Sequence, residues 1–300
     1  MITRLKPRRE RPASLMDSLR PIQDRIMRYW PLWAILILVG LTIWWGSNRI
    51  PADLTRPLVW SQPESMAPAR SKLLIGSFNI HGGRGPSDRF SDLPSTAAEL
   101  KAHDFDLVGL YEVHGGFTGD QATALGKHLN MASLFVPSES RYWRPHFGNG
   151  LLSQVEVENV IAIPLPCTQG RKYRNAVLAT VKLDGVPIQI LATHIDTRLD
   201  HKRQRDFIAG LFRSLQAPAI LIGDLNQEFF DEEFSQAFSG PGIIDALSGV
   251  DYTRFPDDRR IDHILVRGLN ITDAGVAMDG SSDHPIVWAE VTLPDAKDGR

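Results

Sequence analysis

Residues 217–226 have the sequence APAILIGDLN, in which a short apolar run leads directly into Asp224 and Asn226. A run of this length and composition is typical of a strand that is buried on both faces of a sheet. The spacing of two between the polar residues would place both side chains on the same side of extended backbone. The stretch therefore predicts a central strand that ends in a pair of polar groups.

The same arrangement recurs along the chain after residue 71. Apolar runs end in Asn79, in Glu112 and in His194, and further polar residues flank the last two runs. Each polar group alone is typical of a turn, because Asp, Asn and Gly favour turns for conformational reasons. Their recurrence favours a functional site, since functional groups gather at the strand ends of a rigid sheet. The other runs are LLIGSFNI, FDLVGLYEV, VENVIAIPL, NAVLATVKL, VPIQILATHI, IDHILV and HPIVWAEVTL.

Helices and a hairpin are predicted between these strands. Thr96 and Glu99 have capping-box spacing, which predicts that a short helix begins there. Residues 201–215 repeat large apolar side chains at i, i+4 and i+8, which predicts a helix with one apolar face. Asp184-Gly185 predicts a hairpin turn, and the mixture of elements predicts an α/β layered sandwich. The apolar positions of the second helix are Phe207, Leu211 and Leu215, with Ile208 and Phe212 beside them.

The N-terminal part contains a long apolar stretch. Residues 32–45, LWAILILVGLTIWW, carry no charge, and their aromatic edges extend the stretch to residues 29–46. As a helix the stretch would be about 27 Å long, enough to span a bilayer with its aromatic ends at the headgroups. A buried core helix is disfavoured because no face of the stretch is polar, and a cleaved signal peptide is disfavoured because no small residues suited to cleavage follow soon after the run. We therefore predict a transmembrane anchor at residues 29–46.

Charge is distributed unevenly about this anchor. Residues 1–70 carry 11 Lys/Arg and 5 Asp/Glu, whereas the rest of the chain carries 22 and 30. The positive-inside rule then predicts that residues 1–28 form a basic cytoplasmic tail of a single-pass protein of the cell (inner) membrane. The proline-rich residues 47–70 are predicted to be a linker. Residues 71–300 are predicted to form one extracytoplasmic domain.

Composition excludes an intrachain disulfide and disfavours one class of enzyme. The single cysteine, Cys167, excludes an intrachain disulfide. The acidic part after residue 70 shows no basic stripe with interleaved aromatic residues, and non-specific affinity for DNA depends on neutralising backbone phosphates. Composition therefore disfavours a tight, non-specific nuclease.

Seven segments together resemble a known superfamily. SFNIHGG, YEV, GNGLLS, THIDT, GDLN, RRIDHILV and SDHP occur in the order and rough spacing of the endonuclease/exonuclease/phosphatase superfamily, over about residues 72–293. The resemblance implies an α/β DNase I-like fold, a four-layer sandwich of two packed, mainly antiparallel β-sheets flanked by helices. Here it would be preceded by one transmembrane helix. The resemblance also implies a hydrolase of phosphate esters that uses Mg²⁺, with Mn²⁺ as the alternative.

The resemblance implies three metal ligands. Glu112 would be the main carboxylate ligand, Asn79 a second oxygen ligand, and Asp283 a ligand either directly or through water. These are hard oxygen ligands of the kind that Mg²⁺ prefers, and Mg²⁺ keeps several waters besides them. The sequence departs from the family at Tyr111, where the family usually has Gln before the metal-binding Glu.

The resemblance also implies the catalytic residues. Asp224 would orient and deprotonate the attacking water, and Asn226 would fix that geometry. His284 would donate a hydrogen bond to a phosphoryl oxygen, while Asp262 accepts from its other nitrogen and favours the charged form. His194 would also contact the phosphate.

The substrate is left open among phosphate esters, either a nucleic acid or a phospholipid headgroup. Arg174 would hold a phosphate bidentately, or else pair with a surface acid, and Asp196 receives no role. The lipid bilayer is a partner through residues 29–46, and the sequence identifies no protein partner. The alternative to an enzyme is an inactive, membrane-tethered domain that binds phosphorylated ligands. The retention of Asp224 and His284 favours the enzyme.

Overall fold

The computed structural model describes residues 15–55, 58, 60–62, 70–85, 91–141, 145–170, 172–228, 231–252, 260–278 and 280–294. Residues 1–14 of the predicted basic tail and residues 56–57, 59 and 63–69 of the predicted linker lie outside them. The chain divides into two compact units, one that ends at Asn48 and one that begins at Arg49.

The first unit contains one helix, α1 (Leu15–Ser47). Within it, Met27–Gly46 is long and apolar enough to cross a membrane. This range encloses the predicted anchor of residues 29–46, and its length and composition are what support the assignment.

The second unit consists of two β-sheets, four α-helices and a short 3-10 helix (His81–Gly83) in its described part. The first sheet has the strand order β1-β5-β6-β3-β2-β14-β13, with β4 paired to β3. The second sheet has the order β11-β12-β10-β9-β8-β7. Each sheet contains one parallel pair, β2 with β3 and β9 with β10, and the other pairs are antiparallel. The strands are β1 (Ile50–Pro51), β2 (Leu73–Asn79), β3 (Leu107–Gly116), β4 (Gly119–Asp120), β5 (Ala132–Ser140), β6 (His146–Ser153), β7 (Val157–Pro164), β8 (Asn175–Leu183), β9 (Val186–His194), β10 (Ala219–Asp224), β11 (Ile243–Asp245), β12 (Asp262–Arg267), β13 (Asn270–Ala277) and β14 (Ile286–Thr292), and the helices are α2 (Leu93–Lys101), α3 (Gln121–Leu129), α4 (His201–Ser214) and α5 (Glu232–Phe238).

Three apolar clusters make this unit a four-layer sandwich. The central cluster joins the facing sides of the two sheets, with Ile75 from one sheet and Ile222 from the other. A second cluster packs α4 and α5 against the outer face of the second sheet through Phe212 and Phe234. A third packs α2 and α3 against the outer face of the first sheet. This is the α/β layered sandwich that the sequence pattern predicted, in the DNase I-like form that the resemblance implied.

The structure differs from the sequence predictions at two helices. The helix at Thr96 begins earlier, at Leu93, because Asp92 caps it by accepting a hydrogen bond from the Ser95 N–H. The buried stripe of α4 is centred on Ile208 and Phe212, whereas Phe207 is partly exposed. The predicted hairpin turn at Asp184-Gly185 is present, and both residues have positive φ.

Residues of the predicted linker take part in the second unit. Ile50 and Pro51 form β1 and extend the first sheet by pairing with β5. Ser61 bridges to Ser133, and the Trp60 side chain packs against the central cluster. A proline-rich segment can form such an edge, because edge strands tolerate missing N–H donors.

Candidate active site

The C-terminal ends of two parallel strand pairs bring the predicted residues to one end of the sandwich. In the first sheet, Asn79 at the end of β2 pairs with the residue that precedes Glu112 in β3. In the second sheet, Asp224 at the end of β10 pairs with His194 at the end of β9. Asp262 faces Asp224 from the antiparallel strand β12. We call Asn79, His194, Asp224, Asp262 and His284 the Asp224 site.

Asp224 is 1% exposed and lies at the centre of this site. Its Oδ2 accepts a hydrogen bond of 2.9 Å from Asn79 Nδ2, and its Oδ1 accepts one of 3.0 Å from the backbone N–H of Asn226. Burial, followed by the charge of Asp262, raises the pKa of Asp224 to about 7, against the opposing effects of His284 and the two hydrogen bonds. A carboxyl group with this pKa exchanges its proton near neutral pH, as a general base must.

His284 is paired with Asp262. The distance from His284 Nδ1 to Asp262 Oδ2 is 2.7 Å, and His284 Nε2 lies 4.0 Å from Asp224 Oδ2. Burial favours the neutral ring, but the Asp262 carboxylate outweighs burial and, with Asp224 and Asp283, raises the pKa of His284 to about 10. At neutral pH the ring is therefore positively charged, and its Nε2–H is left to donate to a ligand. The catalytic role of the pair stays a prediction.

His194 has the opposite charge preference. It is almost completely buried, and its Nε2 lies 3.4 Å from Asp224 Oδ2. Burial, followed by the positive charges of Arg174, His284 and Lys172, holds the pKa of His194 well below its usual value. The aromatic rings of Tyr111 and Phe147 lie 6.3 Å and 6.2 Å from the imidazole. The site thus places one charged and one neutral histidine beside the Asp224 carboxyl group.

Asn226 contributes differently from the sequence expectation. Its φ is +50°, in the left-handed region. Asn226 therefore does not have the extended backbone conformation that the spacing of two from Asp224 predicted. Asn tolerates the left-handed conformation better than most residues. Its backbone N–H binds Asp224, while its Nδ2 donates to the carbonyl oxygen of Ile195 at 3.0 Å. Asn226 therefore ties the ends of β9 and β10 together.

Arg174 presents a buried cation at the same end of the sheets. It is 8% exposed, its Nε is buried without a hydrogen-bond partner among the described residues, and its guanidinium stacks on the Phe147 ring at 4.8 Å. Burial lowers the pKa of Arg174, although the charges of Glu112, Glu139, Asp196 and Asp224 oppose the shift. A buried guanidinium with unused donors is suited to binding an anion such as phosphate.

The three predicted metal ligands lie on adjoining segments. Ser282 Oγ donates to the carbonyl oxygen of Asn79 at 2.7 Å, which holds the loop that carries Asp283 against the end of β2. Asp283 Oδ1 lies 3.3 Å from His81 Nδ1. Glu112 has φ +57° at an irregularity in the pairing of β3 with β6. The expected proximity of Asp283 to Glu112 stays a prediction.

Comparison with known proteins assigns the chain to a family. Residues 76–284 match the model of the Endonuclease/Exonuclease/phosphatase family. The chain belongs to the endonuclease/exonuclease/phosphatase family. No curated protein sequence matches the chain.

Solved structures of the family share the fold of this member. The endonuclease/exonuclease/phosphatase from Beutenbergia cavernae has a TM-score of 0.61 at 24% identity, covering 76% of this chain and 73% of that one. The proteins from Bacteroides vulgatus and Bacteroides thetaiotaomicron have TM-scores of 0.62 and 0.59 at 18% and 19% identity. They cover 75% and 74% of this chain, and 100% and 95% of their own.

The family generally depends on a divalent metal ion, and residues of this protein are suited to bind such an ion. Glu112, Asp283 and the amide oxygen of Asn79 are hard oxygen donors. The Glu112 side chain forms no hydrogen bond or ion pair with the described residues, so its carboxylate oxygens are available to an ion. Asp283 is about half exposed, and among the described residues Asn79 Oδ1 accepts one hydrogen bond, from the His81 N–H, which leaves a second lone pair.

A second group of potential metal ligands consists of residues of the Asp224 site. Among the described residues, ligand atoms of Asp224, Asp262 and His284 lie within 4.8 Å of one another. These atoms already bind each other or Asn79. That Glu112, Asn79 and Asp283 hold the metal stays a prediction.

Several residues that support the site were not predicted. Glu99 of α2 is buried and its Oε2 accepts a hydrogen bond of 3.2 Å from the backbone N–H of Ser281, in the loop that carries Asp283 and His284. Asp200 accepts from the backbone N–H groups of residues 168, 169 and 170 and so holds the segment that leads to Arg174. No sequence pattern connects such partners, because they are far apart in the chain.

Proposed function

We propose that this protein is a membrane-anchored, divalent-metal-dependent phosphoesterase that hydrolyses a phosphodiester or phosphomonoester by in-line attack of an activated water. The observation that carries the proposal is the environment of Asp224. A buried carboxyl group with a pKa near neutrality lies between a charged and a neutral histidine. Strongly shifted neighbouring groups of this kind are typical of catalytic sites.

Asp224 is the base of the proposed reaction. In its ionised form the carboxylate takes a proton from the attacking water, and Asn79 and Asn226 hold its two oxygens in a fixed orientation. Neutral His194 provides a hydrogen-bonding group beside Asp224 Oδ2 without adding charge. A fixed orientation matters, because the water must approach the phosphorus opposite the leaving group.

Two cations oppose the negative charge that develops on the phosphoryl oxygens. His284 donates through Nε2–H while Asp262 holds Nδ1–H, and Arg174 supplies the unused donors of its guanidinium. Both groups are largely buried, so their electrostatic effect is weakly screened by water. Arg174 is the residue that we assign to substrate binding.

Glu112, Asn79 and Asp283 would hold the metal, which we propose to be Mg²⁺, with Mn²⁺ as the alternative. When bound, the ion would supply positive charge beside the substrate phosphate. Two of the three residues are carboxylates. Without the ion, their negative charges would repel the substrate phosphate.

The proposed location is the cell (inner) membrane. Residues 29–46 cross the bilayer, residues 1–28 lie in the cytoplasm, and the catalytic unit lies outside. The substrate is a nucleic acid or a phospholipid headgroup. The alternative, an inactive domain that binds phosphorylated ligands, lacks support from the site, because Asp224, Asp262 and His284 are all present and connected.

A substrate screen of the full chain in detergent, with Mg²⁺ or Mn²⁺ supplied, tests this function. The screen contains plasmid DNA, RNA, a sphingomyelin analogue, phosphoinositides and a generic phosphodiester. We expect turnover of at least one substrate, and its loss on full chelation. Binding without turnover would favour the inactive alternative, and turnover that survives chelation would refute the metal.

A further inference from the structure

Two large apolar side chains are prominently exposed at the site end of the second unit. Phe117, in the turn between β3 and β4, is 102% exposed, and Leu199, in the loop between β9 and α4, is 62% exposed. Single exposed apolar residues are ordinary on protein surfaces. Their surroundings therefore decide whether these two have a function.

Strand pairing and a helix cap fix the turn that carries Phe117. Gly116 pairs with Gly119, and Gly115 pairs with Asp120, which leaves Phe117 and one further residue as the turn. Asp120 then caps α3 by accepting a hydrogen bond of 2.7 Å from the Thr123 N–H. The aromatic ring is thus presented to solvent by an ordered hairpin.

Both apolar side chains belong to segments that flank the same aromatic ring. Phe147 lies 5.9 Å from the His114 ring and 6.2 Å from the His194 ring. His114 precedes Phe117 by three residues, and Leu199 follows His194 by five. The Arg174 guanidinium stacks on the same Phe147 ring. The two segments therefore border the place where we expect the phosphate to bind.

Basic side chains accompany Leu199. Arg198 is exposed beside it in the sequence, and Lys172 Nζ lies 3.4 Å from Thr197 Oγ1. We call Phe117, Lys172, Arg198 and Leu199 the site rim. Apolar side chains next to cations are typical of surfaces that bind lipid, because the former enter the acyl boundary while the latter meet the phosphates.

We propose that the site rim binds the surface of a phospholipid bilayer, so that the phosphate ester of a lipid headgroup enters the Asp224 site. The binding surface stands on its own, and only the cleavage of the lipid rests on the proposed function. A nucleic acid is the less favoured occupant, because Leu199 offers no aromatic ring on which a base could stack, whereas an exposed aliphatic side chain can enter the acyl boundary of a bilayer. The chain also carries a helix that is long and apolar enough to place it at a membrane.

Site-specific labelling of the full chain tests the binding surface. The Cys167→Ser background removes the one native cysteine, and Phe117→Cys or Leu199→Cys then accepts an environment-sensitive fluorophore. Ile161→Cys is the matched control, because Ile161 is 53% exposed in the middle of the edge strand β7. The proteins are placed in nanodiscs that contain anionic phospholipid and a lipid spin-labelled near its headgroup.

The expected result is quenching and a blue shift of the label at positions 117 and 199 but not at 161. Equal quenching at all three positions, or none at 117 and 199, would overturn the proposal. A response of the 117 and 199 labels to a single-stranded oligonucleotide, without a response to the lipid, would assign the site rim to nucleic acid instead.

A kinetic comparison tests the consequence for the substrate. Phe117→Ser with Leu199→Ser should lower cleavage of a bilayer phospholipid about tenfold, which corresponds to about 1.4 kcal/mol, and leave cleavage of a water-soluble phosphodiester unchanged. Equal losses on both substrates would contradict the role in lipid access. Absence of any cleavage by the unsubstituted protein would refute the proposed function, while the fluorescence result would still decide the binding surface.

Discussion

Arg174 allows substrate binding to be separated from stability. Its guanidinium is buried, and its Nε–H has no hydrogen-bond partner among the described residues, which disfavours the folded state. The same group is suited to bind phosphate. Arg174→Met keeps the length of the side chain and removes the charge. We expect kcat/KM to fall about 100-fold while the melting temperature stays the same or rises.

Kinetics and thermal unfolding of this variant, measured together, check the prediction. Arg174→Lys is the control that keeps a charge without the planar pair of donors, and we expect its activity to lie between the two. A large fall in melting temperature with Arg174→Met would show that the residue is structural.

His263 provides a prediction about stability and pH. The residue is buried, stacks on Phe234 at 4.5 Å, and its Nε2 lies 2.7 Å from the carbonyl oxygen of Gln227. Burial lowers the pKa of His263 to about 3, against an ordinary value of 6.5. Below pH 6.5 the unfolded chain therefore binds a proton that the folded chain does not bind. The contribution to stability is complete above pH 6.5 and is lost as the pH falls towards 3.

His263→Gln should remove this dependence, because Gln does not titrate and still offers a donor to Gln227. Between pH 7 and pH 5 we expect the free energy of unfolding of the unsubstituted protein to fall by about 2 kcal/mol more than that of the variant. Urea unfolding in a mild detergent measures the difference. Parallel pH profiles of the two proteins would contradict the account.

Among elements, those with strong apolar patterns were predicted well from the sequence. The runs that became β2, β8, β9, β10 and β14 are short and apolar, and their limits agree with the structure within about two residues. The short helices α3 and α5 were not predicted. Each has fewer than ten residues and two buried side chains, which gives a weak periodic signal.

The candidate site was predictable only in part. The resemblance supplied Asn79, Asp224 and His284 because each lies in a short segment of recognisable sequence. The left-handed conformation of Asn226 and the hydrogen bond from Ser281 to Glu99 depend on contacts between distant segments. Local spacing carries no information about such contacts.

The segment that follows α1 supports an element-scale prediction. Trp60 packs against the central cluster although the sequence suggested a linker. Trp60→Ala should lower the free energy of unfolding of the second unit by about 2 kcal/mol. Denaturant unfolding checks this value, and Ser61→Ala, next to it, is a control that keeps the backbone bridge to Ser133. An unchanged midpoint for Trp60→Ala would mean that the segment contributes little to the fold.

At the scale of the whole molecule, the uneven charge of the chain predicts its topology. Residues 1–28 are basic and precede the predicted anchor at residues 29–46, so we expect the N-terminus to stay in the cytoplasm. A reporter that is active only outside the cytoplasm should be active when fused after residue 300. The same reporter fused before residue 1 is the control and should be inactive. Activity with the reverse pattern would refute the orientation.

The central claim is that Asp224 activates the water that attacks a phosphate ester. The most direct measurement is the rate of phosphodiester cleavage by the unsubstituted protein and by Asp224→Ala, side by side in Mg²⁺, with folding checked by circular dichroism. Loss of the general base should lower kcat at least about 100-fold without loss of the folded state. A folded Asp224→Ala protein that cleaves the substrate as fast as the unsubstituted protein would contradict the account.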